Sequence, residues 1–525
     1  MKFLQNIEPR EYQKAIFETC TKKNCLVVLP TGLGKTLIAI MLAIERIDKF
    51  PGQKVLFLAP TKPLAEQHIE SFKKYLPELF ATMELFTGQV KAEKRKDLWQ
   101  SADIIFSTPQ CIANDLKKNL YDLKDVCLLI EDEAHRCIKN YDYNFVAHVY
   151  KRQSINPRLI GLTASPGSET FKIKQICKNL SIEEVELRTR QSEDVKGYLQ
   201  ELEFEKISIE FPVEFEEIRQ VLSKLFGEYV EELKKRRVLY LPATKTNLIQ
   251  LQKNLSASLS RGNKNYNSML GASACAQAIK LQHALELLES QTIETFNRYL
   301  KDLFQQASKK QSKGIIKLVA KPEFNFVYSQ SLEFLAKDKE HPKISKIMEV
   351  IRKEISQNSK MKIIVFTQFR DTALIISKNL NKISGIKSKI FIGQKKGLKT
   401  RSKETAGLTQ KEQKNIIDEF SKNKINILVA TSIGEEGLDI PEVNAVIFYE
   451  PVPSAIRSIQ RAGRTARLMQ GKLIMLITKK TRDESFYYIS RSKEKKMEKS
   501  IGEIKKDLSN KTPYENKTEM QKILL

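Results

Sequence analysis

Short aliphatic runs alternate with amphipathic helical patterns over residues 24–165. Segments such as Lys35–Ile47 and Leu64–Tyr75 have helical periodicity and lie between the runs NCLVVLP, KVLFLAP, DIIFSTP, VCLLIED and RLIGLTASP. Continuous apolar strands that alternate with helices are typical of a parallel sheet covered by helices on both faces. We therefore predict a first α/β unit here.

The same alternation returns after residue 340, in the runs KIIVFTQ, KIFIGQ, NILVATS, AVIFYEP and KLIMLIT. A capping box from Thr409 to Glu412 predicts a helix start at that point. Between the two units, over about 190–335, apolar residues follow a helical period in FEEIRQVLSKLFGEYVEEL and AIKLQHALELLESQTIETFNRYLKDLF. The pattern predicts an all-α insertion between two α/β units.

The charge balance indicates a polyanionic partner. The 525-residue chain has 89 Lys and Arg against 63 Asp and Glu, a formal net charge of +26. Two stretches, Leu233–Leu285 and Thr372–Lys403, each carry nine Lys or Arg and no acid. Nucleic acid is the first expectation for such a chain, ahead of an anionic membrane surface.

Membrane, secretory and metal-cluster classes receive no support from the sequence. No apolar run approaches the roughly 18 residues of a membrane helix, and we expect no signal peptide. The seven cysteines lack CxxC spacing, so we expect reduced, mostly buried thiols and neither a zinc site nor a disulfide framework.

A glycine-rich loop, LPTGLGKT at Leu29–Thr36, follows an apolar strand and precedes a helix. Gly32 and Gly34 allow backbone N–H groups to turn onto phosphate oxygens at the positive end of the helix. Lys35 supplies a charge for the β- and γ-phosphates, and Thr36 offers a hydroxyl to Mg²⁺. The sequence therefore predicts a nucleoside triphosphate site.

Three adjacent acids end the strand-like run LLIEDEAHR. A phosphate loop needs an acid at the end of a neighbouring strand to hold Mg²⁺ and a base for the attacking water. We assign the first role to Asp132 and the second to Glu133, since a dication makes adjacent carboxylates tolerable. His135 is interpreted as a link to neighbouring loops, and Glu131 is expected to be a solvated acid without a role.

Two motifs of the second unit complete the candidate site. In QRAGRTAR, Arg464 and Arg467 lie three residues apart and suit γ-phosphate oxygens when the two units close. In ATSIGEEGLDIP, Gly437 and Asp439 are placed to meet the ribose and phosphates, and Thr431 to meet a nucleic-acid phosphate.

The complete motif set resembles that of the DEAH-type helicases of superfamily 2, over about residues 5–500. Within that superfamily the chain is similar to the archaeal Hef helicases and their Fanconi M-type relatives. The motifs that carry the resemblance are REYQ, LPTGLGKT, APTKPLAEQH, TGQV, STPQ, EDEAH, TASP, HPK, VFTQFRDT, FIGQ, ATSIGEEGLDIP and QRAGRTAR.

The resemblance implies an α/β fold of two RecA-like parallel-sheet lobes with an all-α helical insertion between them. The expected divisions are 1–188 for the first, ATP-binding lobe and 189–335 for the DNA-binding insertion. The second lobe would span 336–495, followed by a basic and polar tail at 496–525. No nuclease pattern occurs in the chain, so we expect no nuclease activity from it.

The resemblance also implies a role for each matching residue. Adenine and phosphate contacts would come from Arg10, Gln13, Thr31, Gly32, Gly34, Lys35 and Thr36. The metal would be held by Thr36 and Asp132, and catalysis would involve Lys35, Glu133, Gln460, Arg464 and Arg467. His135, Thr163 and Ser165 would couple hydrolysis to movement. Nucleic-acid contacts would come from Thr61, Lys62, Thr108, Pro109, Thr367, Gln368 and Thr431, and from the basic cluster Lys234, Lys235, Arg236 and Arg237.

The function implied is an ATP-dependent DNA helicase or translocase, with ATP and Mg²⁺, that acts on forked or branched DNA in replication-fork repair. Two alternatives stay open, a duplex-RNA-dependent ATPase of the RIG-I and Dicer branch and a non-catalytic scaffold for branched DNA. A sliding clamp or a separate nuclease is a further partner prediction. The expected location is the cytoplasm of a prokaryotic cell, on the nucleoid, with no membrane association.

Overall fold

The computed structural model describes residues 3–139, 141–199, 201–262, 265–358, 360–393, 407–431, 440–454 and 471–509. The first lobe contains a seven-stranded sheet in which every pairing is parallel. Its strands are β1 (Cys25–Val28), β2 (Lys54–Leu58), β3 (Met83–Phe86), β4 (Ile104–Ser107), β5 (Val126–Asp132), β6 (Leu159–Thr163) and β7 (Glu184–Leu187). Their order is β3-β4-β2-β5-β6-β1-β7.

Helices cover both faces of this sheet, as the continuous apolar runs predict. They are α1 (Glu11–Lys22), α2 (Lys35–Lys49), α3 (Lys62–Tyr75), α4 (Ala92–Ser101), α5 (Pro109–Lys117), α6 (Asp142–Gln153), α7 (Thr170–Asn179) and α8 (Glu193–Lys196). Successive residues of a strand point to opposite faces, so Leu26 and Val28 enter one apolar core while Cys25 and Val27 enter the other. All seven cysteines are buried.

The second lobe contains a six-stranded sheet, again parallel throughout. Its strands are β8 (Leu202–Ile209), β9 (Ile363–Phe366), β10 (Ser388–Phe391), β11 (Ile427–Ala430), β12 (Ala445–Phe448) and β13 (Gly471–Thr478), in the order β10-β11-β9-β12-β13-β8. Its helices are α15 (Pro342–Gln357), α16 (Arg370–Leu380), α17 (Gln410–Ser421) and α18 (Arg482–Ser509). The capping box at α17 is present, with Glu412 N 3.2 Å from Thr409 Oγ1.

Strand β8 differs from the expectation, because it lies in the range 189–335 for which the sequence predicts only helices. It pairs with β13 over eight residues, from Leu202 opposite Gly471 to Ile209 opposite Thr478. Its sequence LEFEKISI alternates apolar and polar residues, since an edge strand has one open face. It therefore lacks the continuous apolar run that identifies the inner strands. The domain boundaries themselves stay predictions.

A helical bundle forms the insertion between the lobes. Its helices are α9 (Val213–Lys235), α10 (Lys245–Ser260), α11 (Tyr266–Ser290), α12 (Ile293–Ser308), α13 (Lys313–Val319) and α14 (Pro322–Ala336). The helical pattern at 278–304 is two helices, because Thr292 ends the run and caps α12 by accepting from Thr295 N at 3.1 Å. Among the residues that the structure describes, no helix has the length and apolarity needed to cross a bilayer.

The long helix α18 joins the second lobe to the first. Near its start, Arg482 Nη1 donates to Gln282 O of the insertion at 2.9 Å. Farther along, Met497, Ile501 and Ile504 are part of the apolar core of the first lobe. One helix therefore contacts all three parts of the molecule.

A buried ion pair fixes the start of α18 to α15. Lys343 and Asp483 are 0% and 2% exposed and are in direct contact, and Lys343 Nζ also lies 3.4 Å from Ser290 O of the insertion. Burial lowers the pKa of the neighbouring His341 to about 3. The neutral ring accepts from Lys343 N at 3.3 Å and donates to Glu289 O at 3.1 Å. These contacts attach the insertion to the second lobe.

Removal of Lys343 should destabilise the protein strongly. Lys343→Ala leaves Asp483 buried without its partner, which typically costs about 3–5 kcal/mol in the free energy of unfolding. Lys346→Ala is the matched control on the same helix, because Lys346 forms an exposed pair with Glu349 at 2.8 Å and such pairs contribute at most about 1 kcal/mol. Urea unfolding of both variants measures the two changes in the free energy of unfolding. Equally small losses in the two variants would contradict this prediction.

Candidate nucleotide and nucleic-acid site

The phosphate loop connects the end of β1 to the start of α2. Gly32 and Gly34 have φ angles of 87° and 78°, in the left-handed region that glycine adopts without strain. A side chain at Gly34 would also collide with the amide of Gln13. The loop is tied to β6 at its base, where Leu29 N donates to Thr163 O at 3.0 Å. The loop therefore ends at the N-terminus of α2, where an anion is stabilised.

Lys35 is the first residue of α2, and its ammonium group lies across the loop. Its Nζ donates to Leu29 O at 2.9 Å. The Lys35 charge also helps to lower the pKa of Asp132, so the two side chains are electrostatically coupled. The structure thus brings Lys35 and Asp132 together, although they are about 100 residues apart in the sequence.

Asp132 is almost wholly buried at the carboxyl end of β5. Burial alone would raise its pKa, but several interactions outweigh this and hold the pKa below its usual range. They are the hydrogen bond from His68, the charge of Lys35 and the backbone N–H of Glu133. The carboxylate therefore stays ionised at neutral pH, as a Mg²⁺ ligand must be.

Glu133 adopts a left-handed backbone conformation, with φ 52°, just before the short 3₁₀ turn Ala134–Arg136. Such a conformation is strained for a residue with a side chain, and it occurs often at functional sites. Glu133 Oε2 lies 3.2 Å from His135 Nδ1, which is in turn 3.3 Å from Thr163 Oγ1. The acidic motif is therefore in contact with the TASP motif on β6.

The TASP motif reaches the helix that comes from the second lobe. Thr163 Oγ1 donates to Ser165 O at 3.1 Å, and Ser165 Oγ donates to Met497 Sδ of α18 at 2.9 Å. A hydrogen bond of 2.8 Å between Thr170 and Ser500 lies beside this contact. Sequence reasoning missed Met497, because only the folded chain shows where α18 packs.

Glu131 is not solvated, so that expectation is wrong. Its side chain is completely buried among the first-lobe residues, and burial raises its pKa to about 8. Cys137 Sγ donates to Glu131 Oε2 at 3.0 Å, and the other oxygen has no hydrogen-bond partner among the described residues. The acid follows Ile130 on a strand buried over its whole length, so its side chain enters the core rather than the solvent.

The REYQ motif contacts the phosphate loop from the side of α1. Gln13 Nε2 and Tyr12 Oη both donate to Leu33 O, at 3.1 and 2.9 Å, and Gln13 Oε1 accepts from Arg10 N at 2.9 Å. The Arg10 guanidinium lies 5.1 Å above the ring of Tyr198. No sequence pattern points to Tyr198, which comes from the segment after β7.

Two helix N-termini face the same edge of the first sheet. Thr61 and Lys62 begin α3 after β2, and Thr108 and Pro109 begin α5 after the adjacent β4. Neither threonine caps its helix with its side chain, and the buried Thr61 hydroxyl has no hydrogen-bond partner in the described structure. Such N-termini favour phosphate oxygens.

The matching edge of the second sheet carries Thr367, Gln368 and Thr431. Thr431 N donates to Phe391 O at 3.1 Å, and Thr367 N donates to Ala430 O at 3.0 Å. The buried Glu450 organises this edge by accepting from the Thr367 hydroxyl at 3.3 Å and from the Gln368 N–H. Sequence reasoning missed Glu450, although this acid follows the apolar run AVIFY just as Glu131 and Asp132 follow LLI.

The basic cluster at the end of α9 is half neutralised. Lys234 and Arg236 each form an ion pair of 2.8 Å, with Glu231 and Glu232 respectively. Lys235 and Arg237 are exposed and make no ion pair with a described acid. The remaining predicted site residues, which come from the second lobe, lie outside the described residues: Gly437, Asp439, Gln460, Arg464 and Arg467.

The donors beside the phosphate loop fit Mg²⁺ bound with a nucleotide. The Thr36 hydroxyl and the ionised Asp132 are oxygen ligands of the kind this ion prefers, and it binds through few protein groups and several waters. Accordingly, the described part of the chain has no group of three or more His, Cys, Asp or Glu that could hold a metal by itself. ATP would supply the phosphate ligands.

Comparison with solved structures gives a match over most of the chain. The crystal structure of the Pyrococcus furiosus Hef helicase domain superposes with a TM-score of 0.69 and 42% sequence identity, covering 93% of this chain and 100% of that chain. The chain belongs to the DEAH-type helicases of superfamily 2, in the group of Hef. The helicase also matches the family models for "DEAD/DEAH box helicase" at residues 10–173 and "Helicase conserved C-terminal domain" at 343–469.

A third family model, "Putative ATP-dependent RNA helicase, helical bundle", matches the helicase at residues 214–340. Curated relatives include "Putative ATP-dependent RNA helicase MJ1505" of Methanocaldococcus jannaschii, 39% identical over 95% of this chain. "ATP-dependent DNA helicase mph1" of Neurospora crassa is 33% identical over 92% of this chain, and "Fanconi anemia group M protein homolog" of Mus musculus is 32% identical over 94%. The chain spans only 61%, 42% and 26% of these three relatives.

The buried Glu131 should make the stability of the helicase depend on pH. The unfolded carboxyl ionises near pH 4.3 and the folded one near 8, so the folded state loses stability as the pH rises between these values, by roughly 5 kcal/mol at most. Glu131→Gln removes this loss. We expect the free energy of unfolding of Glu131→Gln to exceed that of the wild type by an amount that grows from about pH 5 to about pH 8.5. Urea unfolding with a chelator present measures this difference. An advantage that does not change with pH would contradict the buried neutral acid.

Proposed function

We propose that this helicase hydrolyses ATP, with Mg²⁺, to translocate on or unwind forked or branched DNA in replication-fork repair. One observation carries the proposal. The phosphate loop, the acidic motif and two uncapped helix N-termini lie at the carboxyl edge of one sheet, where β1, β2, β4 and β5 end. Ligands of open parallel sheets bind at this edge.

The chemistry follows from the positions of the first-lobe residues. The loop N–H groups and Lys35 bind the β- and γ-phosphates, so Lys35 must leave Leu29 O when ATP enters. Thr36 and Asp132 would hold Mg²⁺, which neutralises the charge that develops on the phosphates. Glu133 accepts a proton from the attacking water. The Glu133 side chain is 17% exposed, so water reaches it, whereas Glu131 is completely buried in the core.

Hydrolysis would be coupled to movement through a continuous set of contacts. His135 lies beside both Glu133 and Thr163, and the TASP motif ends in the hydrogen bond from Ser165 to Met497 of α18. Since α18 begins in the second lobe, a shift at the γ-phosphate displaces that lobe relative to the first. The two arginines Arg464 and Arg467 would close the site from the second lobe in the ATP-bound state.

The nucleic-acid path would follow the paired strand ends of both lobes. Hydroxyls, amides and helix N-termini at Thr61, Thr108, Thr367 and Thr431 suit backbone phosphates rather than bases, so binding would be largely independent of sequence. Affinity should fall steeply with salt, because counterion release drives such binding. A sliding clamp or a separate nuclease as partner, and a place on the prokaryotic nucleoid, are predictions from the resemblance alone.

Duplex RNA is the second candidate substrate. Both the helical-bundle family model and the Methanocaldococcus relative are described as "RNA helicase". The Neurospora relative and two relatives from Schizosaccharomyces pombe are described as DNA helicases, and we propose DNA on that ground.

The ATPase rate on a panel of nucleic acids tests the proposed function. We expect the largest stimulation by forked DNA, compared with no nucleic acid, single-stranded DNA, duplex DNA and duplex RNA. Glu133→Gln should bind ATP and forked DNA but lose hydrolysis by several orders of magnitude, because the base is gone. Glu70→Gln, an exposed acid farther along α3, is the matched control and should keep the wild-type rate. Stimulation by duplex RNA alone would move the substrate to RNA, and no hydrolysis on any substrate would leave only a scaffold.

The exposed residues of the basic cluster, Lys235 and Arg237, should bind branched DNA. The double variant Lys235→Glu and Arg237→Glu should weaken fork binding more than single-strand binding, and should reduce the slope of log affinity against log salt by about 2. The control reverses the exposed Arg352 and Lys353 on α15, which changes the net charge equally. Fluorescence anisotropy over a salt series measures both variants. An equal loss of fork affinity in the double variant and in the control would show only a general basic surface.

A further inference from the structure

His68 is a buried histidine to which neither the motif analysis nor the proposed chemistry gives a role. It is the last residue of the APTKPLAEQH motif and lies on the buried face of α3. Its Nε2 lies 2.9 Å from Asp132 Oδ2, and the two side chains are each 8% exposed. The carboxylate of the candidate nucleotide site is therefore in contact with a helix that begins at the proposed nucleic-acid edge.

The surroundings hold the imidazole ring in one orientation. The ring packs on Phe57 of β2, with 4.3 Å between the ring centroids and an angle of 35° between the planes. Strand β2 is the direct neighbour of β5, with Phe57 opposite Ile130. Ala65, Ile69 and Phe72 are buried on the same face of α3 as His68. The contact to Asp132 is thus fixed by the sheet register and by the packing of α3.

A packing role alone does not account for a histidine at this position. His68 Nδ1 is buried and has no hydrogen-bond partner among the described residues. A buried polar atom without a partner costs roughly 1–3 kcal/mol, which an apolar side chain would avoid. The one polar contact that His68 makes with a described residue is the hydrogen bond to Asp132. That contact is therefore what a histidine supplies here and an apolar residue would not.

We propose that His68 is a positioning residue for the metal-binding carboxylate. The hydrogen bond at Oδ2 fixes the rotation of the Asp132 carboxylate, which would hold Mg²⁺ beside the phosphate loop. Groups that hydrogen-bond to metal ligands orient them in this way, and their loss typically costs about 10–100-fold in metal affinity or activity. The inference rests on the proposed role of Asp132 as a Mg²⁺ ligand.

Three substitutions at His68 separate positioning from packing. His68→Leu fills the space but cannot donate, and His68→Asn donates from a shorter side chain that does not reach Asp132 Oδ2. His68→Gln carries an amide nitrogen that extends as far as Nε2 and should restore the contact. The control is Phe72→Leu, because Phe72 also packs edge-on against Phe57, at 5.8 Å between the centroids, without touching Asp132.

The decisive readout is metal affinity rather than turnover. Mn²⁺ is titrated into each variant bound to a non-hydrolysable ATP analogue, and free Mn²⁺ is measured by electron paramagnetic resonance. We expect about 10–100-fold weaker Mn²⁺ binding for His68→Leu and His68→Asn. His68→Gln and Phe72→Leu should stay close to the wild type. Affinity for the analogue without metal should not change.

Two results would overturn the inference. One is wild-type Mn²⁺ affinity in His68→Asn, and the other is an equal loss in Phe72→Leu. If His68→Leu fails to fold, the comparison of His68→Asn with His68→Gln still decides. Failure of the proposed function is a separate result, namely no ATP hydrolysis by the wild type on any nucleic acid.

Discussion

An ionised carboxylate at the end of a buried strand is costly, and the first lobe is arranged around the one at Asp132. Removing a charge from water costs several kcal/mol unless neighbouring groups compensate. Here a hydrogen bond from His68, the charge of Lys35 and the N–H of Glu133 do so. The adjacent acids avoid a cluster of like charges in different ways. Glu131 stays protonated in the core, and Glu133 turns away through a left-handed backbone.

The same edge of the sheet explains how distant parts of the chain could act together. Parallel strands all end at one edge, so the phosphate loop, the acidic motif and the TASP motif meet there although they are far apart in sequence. From this edge the contacts run through Ser165 to Met497 of α18, and α18 is anchored by the buried pair of Asp483 and Lys343. A change at the nucleotide thus has a physical route to the second lobe and the insertion.

Much of the fold could be predicted from sequence, because continuous apolar runs mark strands that are buried on both faces. The strands β3, β7 and β8 lie at sheet edges and carry charged residues, so they give no such run. The site was predictable where a motif is local, as at Lys35 and Thr36. It was not predictable where side chains meet only in the folded chain, as do His68 of α3 and Asp132, or Glu450 and Thr367. Glu131 was misjudged because adjacency in sequence does not show which side chain enters the core.

A crystal structure of the helicase with Mg²⁺ and a non-hydrolysable ATP analogue would show whether this sheet edge is a nucleotide site organised around Asp132. We expect Lys35 Nζ to leave Leu29 O for the phosphates. We also expect Asp132 to keep its contact to His68 and to hold Mg²⁺, directly or through one water. Nucleotide bound elsewhere, or Mg²⁺ held without Asp132, would contradict this expectation.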